Sequence, residues 1–204
     1  MMPAPLVILV LLIALILFGR YQLKRVAKQA LSKLVSEIHL EPVNGYVFSK
    51  PDVVNRHEQT LAALNYSDAG TYAVKGIDGL VVRFFTNQGS APYTVIYDHP
   101  KKELLWINLV LLFADDTSVT LTDMPSRGLT QPPAHAIIHC PGADFKELHE
   151  RAREYLTQKK FKPLTPEAVP AEFERAYAEG LAWRKQQGIS IQEVANVQRT
   201  RPRT

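Results

Sequence analysis

The sequence has a single cysteine, Cys140, among 204 residues. One cysteine cannot form an internal disulfide, and no Cys-x-x-Cys pair is present to build a zinc site of three or four converging ligands. These absences favour a reducing compartment. They argue against both a disulfide scaffold and a cysteine-ligated metal.

Short motifs that mark common active sites are also missing. The chain has no phosphate-binding glycine loop, no nucleophile elbow and no His-Glu-x-x-His sequence. It has no internal repeat and no low-complexity run. We therefore predict no cofactor and no metal, and enzyme activity stays an open question.

Net charge is absent from most of the chain. Residues 1–40 contain five basic side chains against Glu37, which gives +4, whereas residues 41–204 contain 19 basic and 19 acidic side chains. The whole excess therefore lies beside the N-terminal apolar segment, and the pI near 9.1 does not indicate nucleic-acid binding. A basic stretch there is typical of contact with anionic lipid headgroups.

Residues 3–18 contain no charged or polar side chain. Residues 1–19 would form a helix of roughly 28 Å, close to the bilayer's hydrocarbon thickness of about 30 Å. Nothing basic precedes this run and no Ala-x-Ala pattern follows it, so we predict an uncleaved single-pass transmembrane anchor rather than a signal peptide. The basic residues after it predict a C-terminal domain on the cytoplasmic side of the plasma (inner) membrane.

Residues 20–44 show apolar positions at spacings of three and four with lysines between them, which predicts a basic amphipathic juxtamembrane helix. This helix could continue the anchor as a stalk, pack on the globular domain or lie among the headgroups. Residues 1–33 are the expected contact with membrane lipid.

Residues 45–198 are predicted to form one globular α+β domain, followed by a basic tail at residues 199–204. Consecutive strands joined by two to five residues must be antiparallel, since a crossover helix does not fit between them. The expected sheet is an antiparallel meander of five to six strands, namely residues 70–74, 79–86, 92–97, 103–113, 117–122 and 134–139.

Helices are expected to flank this sheet. The first runs from Lys50 to about Asn65 with Ser49 as its N-cap, and Gly142-Ala143-Asp144 begins the second. A third covers residues 170–187 and ends at Gly188, and a short helix is expected at residues 189–198. Asp115 and Asp116 suit a turn better than acid–base chemistry.

The strand predicted at residues 103–113 is apolar on both faces. Both faces must therefore be covered, one by the flanking helices and the other by further helices, a ligand, a partner or the membrane. With no catalytic motif present, this favours a membrane-tethered, non-catalytic domain that binds a protein partner or organises a membrane complex.

The alternative is a membrane-anchored enzyme of unrecognised type, with its site near the loop and strand at residues 123–139. Long irregular loops often carry function. The candidate site residues there are His135, His139, Cys140, Asp123 and Arg127. His135 and His139 share a strand face but lie about 13 Å apart at 3.3 Å per residue, too far to share one metal. Cys140 precedes a helix start, which can activate a thiol, although a buried small side chain explains it as well.

Overall fold

The structure is a computed structural model that describes residues 18–19, 21–22, 25, 29, 35, 37–87, 92–126, 128–157, 159–188, 190 and 193. These residues belong to two compact units. The larger unit comprises residues 35–126 and 131–180, and the remaining described residues belong to the smaller one.

One seven-stranded sheet forms the centre of the larger unit, with its strands side by side in chain order. The strands are β1 His39–Pro42, β2 Tyr66–Lys75, β3 Val81–Asn87, β4 Tyr93–His99, β5 Leu104–Leu112, β6 Ser118–Thr122 and β7 His135–His139. Neighbours from β1 to β6 pair antiparallel. β7 runs parallel to β6, with Ser118 opposite His135 and Thr122 opposite His139.

The predicted fold class needs correction in its sheet. The sheet is mixed rather than an antiparallel meander, because the connection of residues 123–134 is long enough to return β7 to the starting end of β6. β1 adds a seventh strand and replaces the end of the helix predicted for residues 20–44. Its four residues pair with β2, thirty or more residues further along the chain, and so give no local signal.

The predicted fold class also needs correction in its transmembrane helix, which the structure does not show. No helix among the described residues is long and apolar enough to cross a membrane. The predicted anchor at residues 1–19 lies outside the described residues except for Phe18 and Gly19, both helical. Among the described residues, the fold is therefore a mixed seven-stranded sheet with three helices.

The described part of the chain contains three helices: α1 Pro51–Ala63, α2 Phe145–Leu156 and α3 Val169–Gln187. Asp144 is the N-cap of α2, as its position in the sequence predicts, and its Oδ1 accepts a hydrogen bond from the Glu147 amide at 2.9 Å. Gly188 follows α3 with φ +74°, and its N–H donates to the Arg184 carbonyl at 2.9 Å. The helix predicted for residues 189–198 lies outside the described residues except for Ser190 and Glu193.

Ser49 is not the N-cap of α1, so that prediction is wrong. Its amide and hydroxyl instead donate to the carboxylate of Asp98 at 2.7 and 2.6 Å, and the Tyr46 hydroxyl donates to the same carboxylate at 3.1 Å. Asp98 lies on β4 and is fully buried. Burial, and then the charge of Asp98, raise the pKa of Tyr46 to about 12. This buried carboxylate therefore fastens the chain before α1 to the sheet.

Two apolar clusters cover the two faces of the sheet. The first joins β4, β5 and β6 to α1 and α2, and includes Leu61, Ile107, Leu109, Phe145 and Leu148. The second lies on the opposite face and joins β2, β3 and β4 to the start of α3, and includes Val82, Phe84, Val95, Val169 and Phe173. β5 contributes to both clusters, so the prediction that both of its faces are covered is confirmed.

In the smaller unit, Glu193 is buried and satisfied by hydrogen bonds. Its carboxylate accepts from the amides of Thr130 and Ser190 at 2.8 and 2.7 Å and pairs with Arg184 at 2.7 Å. Burial by itself raises the pKa of this carboxyl, but the backbone and Arg184 hydrogen bonds outweigh it and lower the pKa of Glu193 to about 2. Glu193 thereby holds residues 130, 184 and 190 together.

Candidate functional site

An open cleft of about 460 Å³ lies at the carboxyl ends of the parallel strands β6 and β7. Its lining comes from α1, from the residue that follows β6 and from the loop between β7 and α2. The side chains and backbone that matter for its chemistry are those of Arg56, His57, Thr60, Asp123, Gly142 and Asp144.

Asp123 is the predicted site residue that lines this cleft. Its Oδ1 accepts a hydrogen bond from the Ile107 amide at 2.9 Å, and its backbone carbonyl accepts one from the Gly142 amide at 3.2 Å. Burial raises the pKa of the Asp123 carboxyl, and the hydrogen bond from Ile107 opposes that rise. The carboxyl of Asp123 is therefore held in place by backbone amides, of which that of Ile107 bonds to Oδ1.

The loop from β7 into α2 supplies the second wall. Gly142 has φ +77°, a left-handed conformation that favours glycine, and a Cβ added there would meet nothing within 4 Å. Asp144 uses Oδ1 to cap α2. Its second carboxylate oxygen makes no hydrogen bond to a described residue.

His57 lies on the inner side of α1 and is only 9% exposed. It lines the cleft, and its ring makes no hydrogen bond to the residues that the structure describes. Burial lowers the pKa of His57 and the neighbouring Arg56 lowers it further, while Asp144 acts in the opposite direction. The imidazole is therefore mainly neutral at pH 7, with one nitrogen able to donate and the other able to accept.

Arg56 and Thr60 lie one turn apart on α1. The Thr60 hydroxyl donates to the Arg56 carbonyl at 3.0 Å, a bond within the helix. The Arg56 guanidinium is exposed and forms no ion pair with a described residue. It is the basic group of a cleft that also holds two carboxylates.

The two histidines of β7 do not reach the cleft. His135 Nδ1 lies 2.9 Å from the Ser118 hydroxyl, and His139 Nδ1 donates to the Met124 carbonyl at 2.9 Å. Within the described residues, no group of three or more His, Cys, Asp or Glu side chains could hold a metal ion. His135 and His139 are thus engaged locally, each with its own partner.

Cys140 does not line the cleft. Cys140 is 3% exposed, its thiol lies 4.0 Å from the Ile138 carbonyl, and its amide donates to the Thr122 carbonyl at 2.7 Å. Arg127 lies outside the described residues. Of the four candidates that the structure describes, Asp123 lies in the cleft, while His135, His139 and Cys140 lie elsewhere on and after β7.

The outer edge of β7 is a second feature with binding capacity. Ala134 accepts from the Ser118 amide and Cys140 donates to the Thr122 carbonyl, so the even-numbered residues direct their backbone groups toward β6. Because backbone groups alternate along a strand, those of Ile137 and His139 point away from the sheet. No described strand pairs there, and Ile137 is 37% exposed.

His57, Arg56 and Asp144 belong to the cleft but were not recognised from the sequence as site residues. A signal for His57 was present, because it falls within the apolar side of the helix predicted to start at Lys50. A histidine in an apolar stripe is more often a satisfied core residue, and nothing local reveals that this one lacks a partner. Comparison with known proteins adds no further guide, since no family model, no curated protein and no solved structure matches this chain.

Proposed function

We propose that this chain is a non-catalytic binding domain that associates with a second copy of itself through the edge of β7. The observation that carries the proposal is the outward-facing backbone of Ile137 and His139 on an exposed strand. An unpaired strand edge is a template for another strand, and proteins that avoid such pairing guard their edges with lysine, proline, bulges or charge.

The two edges of the sheet differ in this respect. β1 has four residues, of which Glu41 is charged and ion-paired to Lys75 at 2.8 Å, and Pro42 lacks an amide hydrogen. β7 reads His-Ala-Ile-Ile-His and contains neither an acidic residue, a lysine or arginine, nor a proline. Only the β1 edge has the features that prevent strand addition.

The β7 sequence is also nearly symmetric about Ile137. In an antiparallel pair centred there, Ile137 lies opposite Ile137 of the second copy, Ala136 opposite Ile138, and His135 opposite His139. The His135 amide is already bonded to the Pro132 carbonyl at 2.9 Å. The remaining outward groups allow about four hydrogen bonds between the two copies.

The oligomeric state in solution tests this proposal. We expect a concentration-dependent dimer in analytical ultracentrifugation. Ile137→Lys should make the protein monomeric, because a lysine on an edge strand opposes pairing with another strand. Val47→Lys is the matched control, because Val47 is an 80% exposed apolar residue away from β7. A wild-type protein that stays monomeric, or a dimer that survives Ile137→Lys, would contradict the proposal.

Disulfide trapping tests the register. Opposed residues in a hydrogen-bonded antiparallel pair have Cα atoms about 5.5 Å apart, within the range that a disulfide spans. Ile137→Cys should therefore crosslink the two copies on oxidation. Ala136→Cys is exposed as well but lies roughly 8 Å from its own copy in this register and should not crosslink. Equal crosslinking at both positions would reject the register.

A second part of the proposal is contact with an anionic lipid surface through the basic residues between Arg20 and Lys33. The segregated charge of +4 supports it, as does the exposure of Phe18 and Tyr21, at 60% and 64%, on either side of Arg20. Basic residues near such a surface contribute about 1 kcal/mol each.

Vesicle co-sedimentation tests the lipid contact. We expect binding to vesicles that contain phosphatidylserine, little binding to phosphatidylcholine alone, and weaker binding as salt rises. Exchanging Arg20, Lys24, Arg25, Lys28 and Lys33 for Gln should reduce binding, whereas exchanging five basic residues of the 41–204 segment should not. Equal binding to both kinds of vesicle would contradict an electrostatic contact.

The enzyme alternative receives less support. Of its four candidate residues that the structure describes, only Asp123 lines the cleft. The Cys140 thiol is buried, and the two histidines of β7 are bonded to Ser118 and to the Met124 carbonyl. Binding capacity, rather than an assembled acid, base and nucleophile, is what this cleft offers.

A further inference from the structure

We propose that the cleft between α1 and the carboxyl ends of β6 and β7 binds a small zwitterion, a molecule with one ammonium and one carboxylate group, such as a free α-amino acid. This site is separate from the β7 edge, and the inference does not depend on self-association.

The position of the cleft is the first support. In open sheets, ligands bind outside the carboxyl ends of parallel strands, where a helix N-terminus often follows. β6 and β7 are the parallel pair among the described strands. Asp123 directly follows one of them, and Gly142 to Asp144 lead from the other into α2.

His57 is the second and independent support. The residue is about nine-tenths buried, it lines the cleft, and its ring makes no hydrogen bond to any described residue. Its ring nitrogens are not among the fully buried atoms that lack a partner, so they face the cleft, where a donor or an acceptor can reach them. A ligand in the cleft would supply the missing hydrogen bond.

The charges of the cleft define the class of ligand. Asp123 and Asp144 each use Oδ1 for a backbone amide, of Ile107 and of Glu147, and each keeps a second oxygen that can accept from an ammonium. Arg56 forms no ion pair with a described residue, and its guanidinium matches the geometry of a carboxylate. The cleft thus offers separate partners for both charged groups of a zwitterion.

Other ligand classes fit less well. A simple anion would meet the two carboxylates, and a simple cation would meet Arg56. A metal ion would need at least three converging ligands, and no such group exists among the described residues. The volume of about 460 Å³ falls in the range of small-molecule sites, and the open space above Gly142 lets a ligand approach the backbone.

The test is a titration of the full chain with each of the twenty L-amino acids, up to roughly 10 mM, followed by nuclear magnetic resonance of the backbone amides. We expect saturable shifts for at least one amino acid, centred on Thr60, Asp123 and Gly142. The best ligand is then compared with its methyl ester, which lacks the carboxylate, and with its deaminated acid, which lacks the ammonium. Each analogue should bind at least tenfold more weakly.

Variants assign the two charges to their partners. Arg56→Gln should weaken binding of the amino acid tenfold or more and leave binding of its methyl ester unchanged. Asp123→Asn should weaken binding of the amino acid and leave binding of the deaminated acid unchanged. Arg151→Gln, an exposed change on α2 outside the cleft, should alter neither.

Two results would overturn the proposal. One is the absence of saturable shifts with all twenty amino acids in a protein whose spectrum is that of a folded chain. The other is binding that Arg56→Gln and Asp123→Asn do not change, or change equally for all three forms of the ligand. Dispersed spectra of both variants show that they remain folded, so a loss of binding reports on the site.

Discussion

At the scale of single residues, buried polar groups in this domain differ in how fully they are satisfied. The buried carboxylate of Asp98 accepts three hydrogen bonds, from Ser49 and Tyr46. His57 is nearly as buried and makes none to a described residue. A hydrogen-bonded group of this kind stabilises its surroundings, whereas the ring of His57 remains available to a ligand in the cleft.

The half-buried carboxyl of Asp123 should make the stability of the fold depend on pH. Burial raises its pKa in the folded state, so the folded protein binds this proton more tightly than the unfolded chain does. The stability contribution of the protonated form is present below the unfolded pKa of about 4 and is lost as pH rises through the folded pKa.

Asp123→Asn removes this titration and keeps an oxygen for the Ile107 amide. We therefore expect the variant to be at least as stable as the wild type at pH 7, and the difference to shrink as pH falls below about 4. Urea unfolding at both pH values measures this. A variant that is clearly less stable at pH 7 would mean that the charged carboxylate stabilises the fold.

At the scale of elements, the turn between β2 and β3 shows how a contact distant in sequence constrains a local conformation. Gly76 has φ +96°, and a Cβ there would lie 2.6 Å from Val35 Cγ1 and 3.0 Å from the Glu37 carbonyl oxygen. Gly45 also has a positive φ, of +69°, but a Cβ at that position would meet nothing within 4 Å.

Gly76→Ala and Gly45→Ala form a matched pair that separates backbone strain from steric conflict. Both should cost about 1–2 kcal/mol from the left-handed conformation. Gly76→Ala should cost at least about 1 kcal/mol more, since the chain at residues 35–37 must move. Equal losses in urea unfolding would show that this chain segment does not press on the turn.

At the scale of the whole molecule, the sheet of the larger unit has an apolar cluster on each face. Leu109 belongs to the cluster beneath α1 and α2, and Phe84 to the cluster beneath α3. Both side chains are fully buried. A sheet covered on both faces should unfold in one cooperative transition. Loss of the helices on either face exposes the same strands on which the helix of the other face packs.

Leu109→Ala and Phe84→Ala test this. Each should lower the free energy of unfolding by about 2–5 kcal/mol through lost burial and the cavity left behind. Circular dichroism and fluorescence should report one coincident transition in both variants. Val47→Ala, at a highly exposed position, should change stability by less than about 0.5 kcal/mol. Separate transitions for the two signals would contradict a single cooperative core.

The sequence by itself determined the features that depend on neighbours in the chain. Alternation of apolar residues predicted β3 to β6 as strands, and short turns predicted that they pair antiparallel, as observed. Asp144 and Gly188 were recognised as helix ends because caps act within a few residues. The uneven distribution of charge also needs only the sequence.

The tertiary structure alone decided the direction of β7, the presence of β1 and the composition of the cleft. A loop of twelve residues can lead into either a parallel or an antiparallel strand, and only packing selects between them. The cleft brings His57, Asp123 and Asp144 together from distant parts of the chain. Periodicity and caps record interactions over a few residues, whereas these contacts depend on how whole elements pack, so no local pattern encodes them.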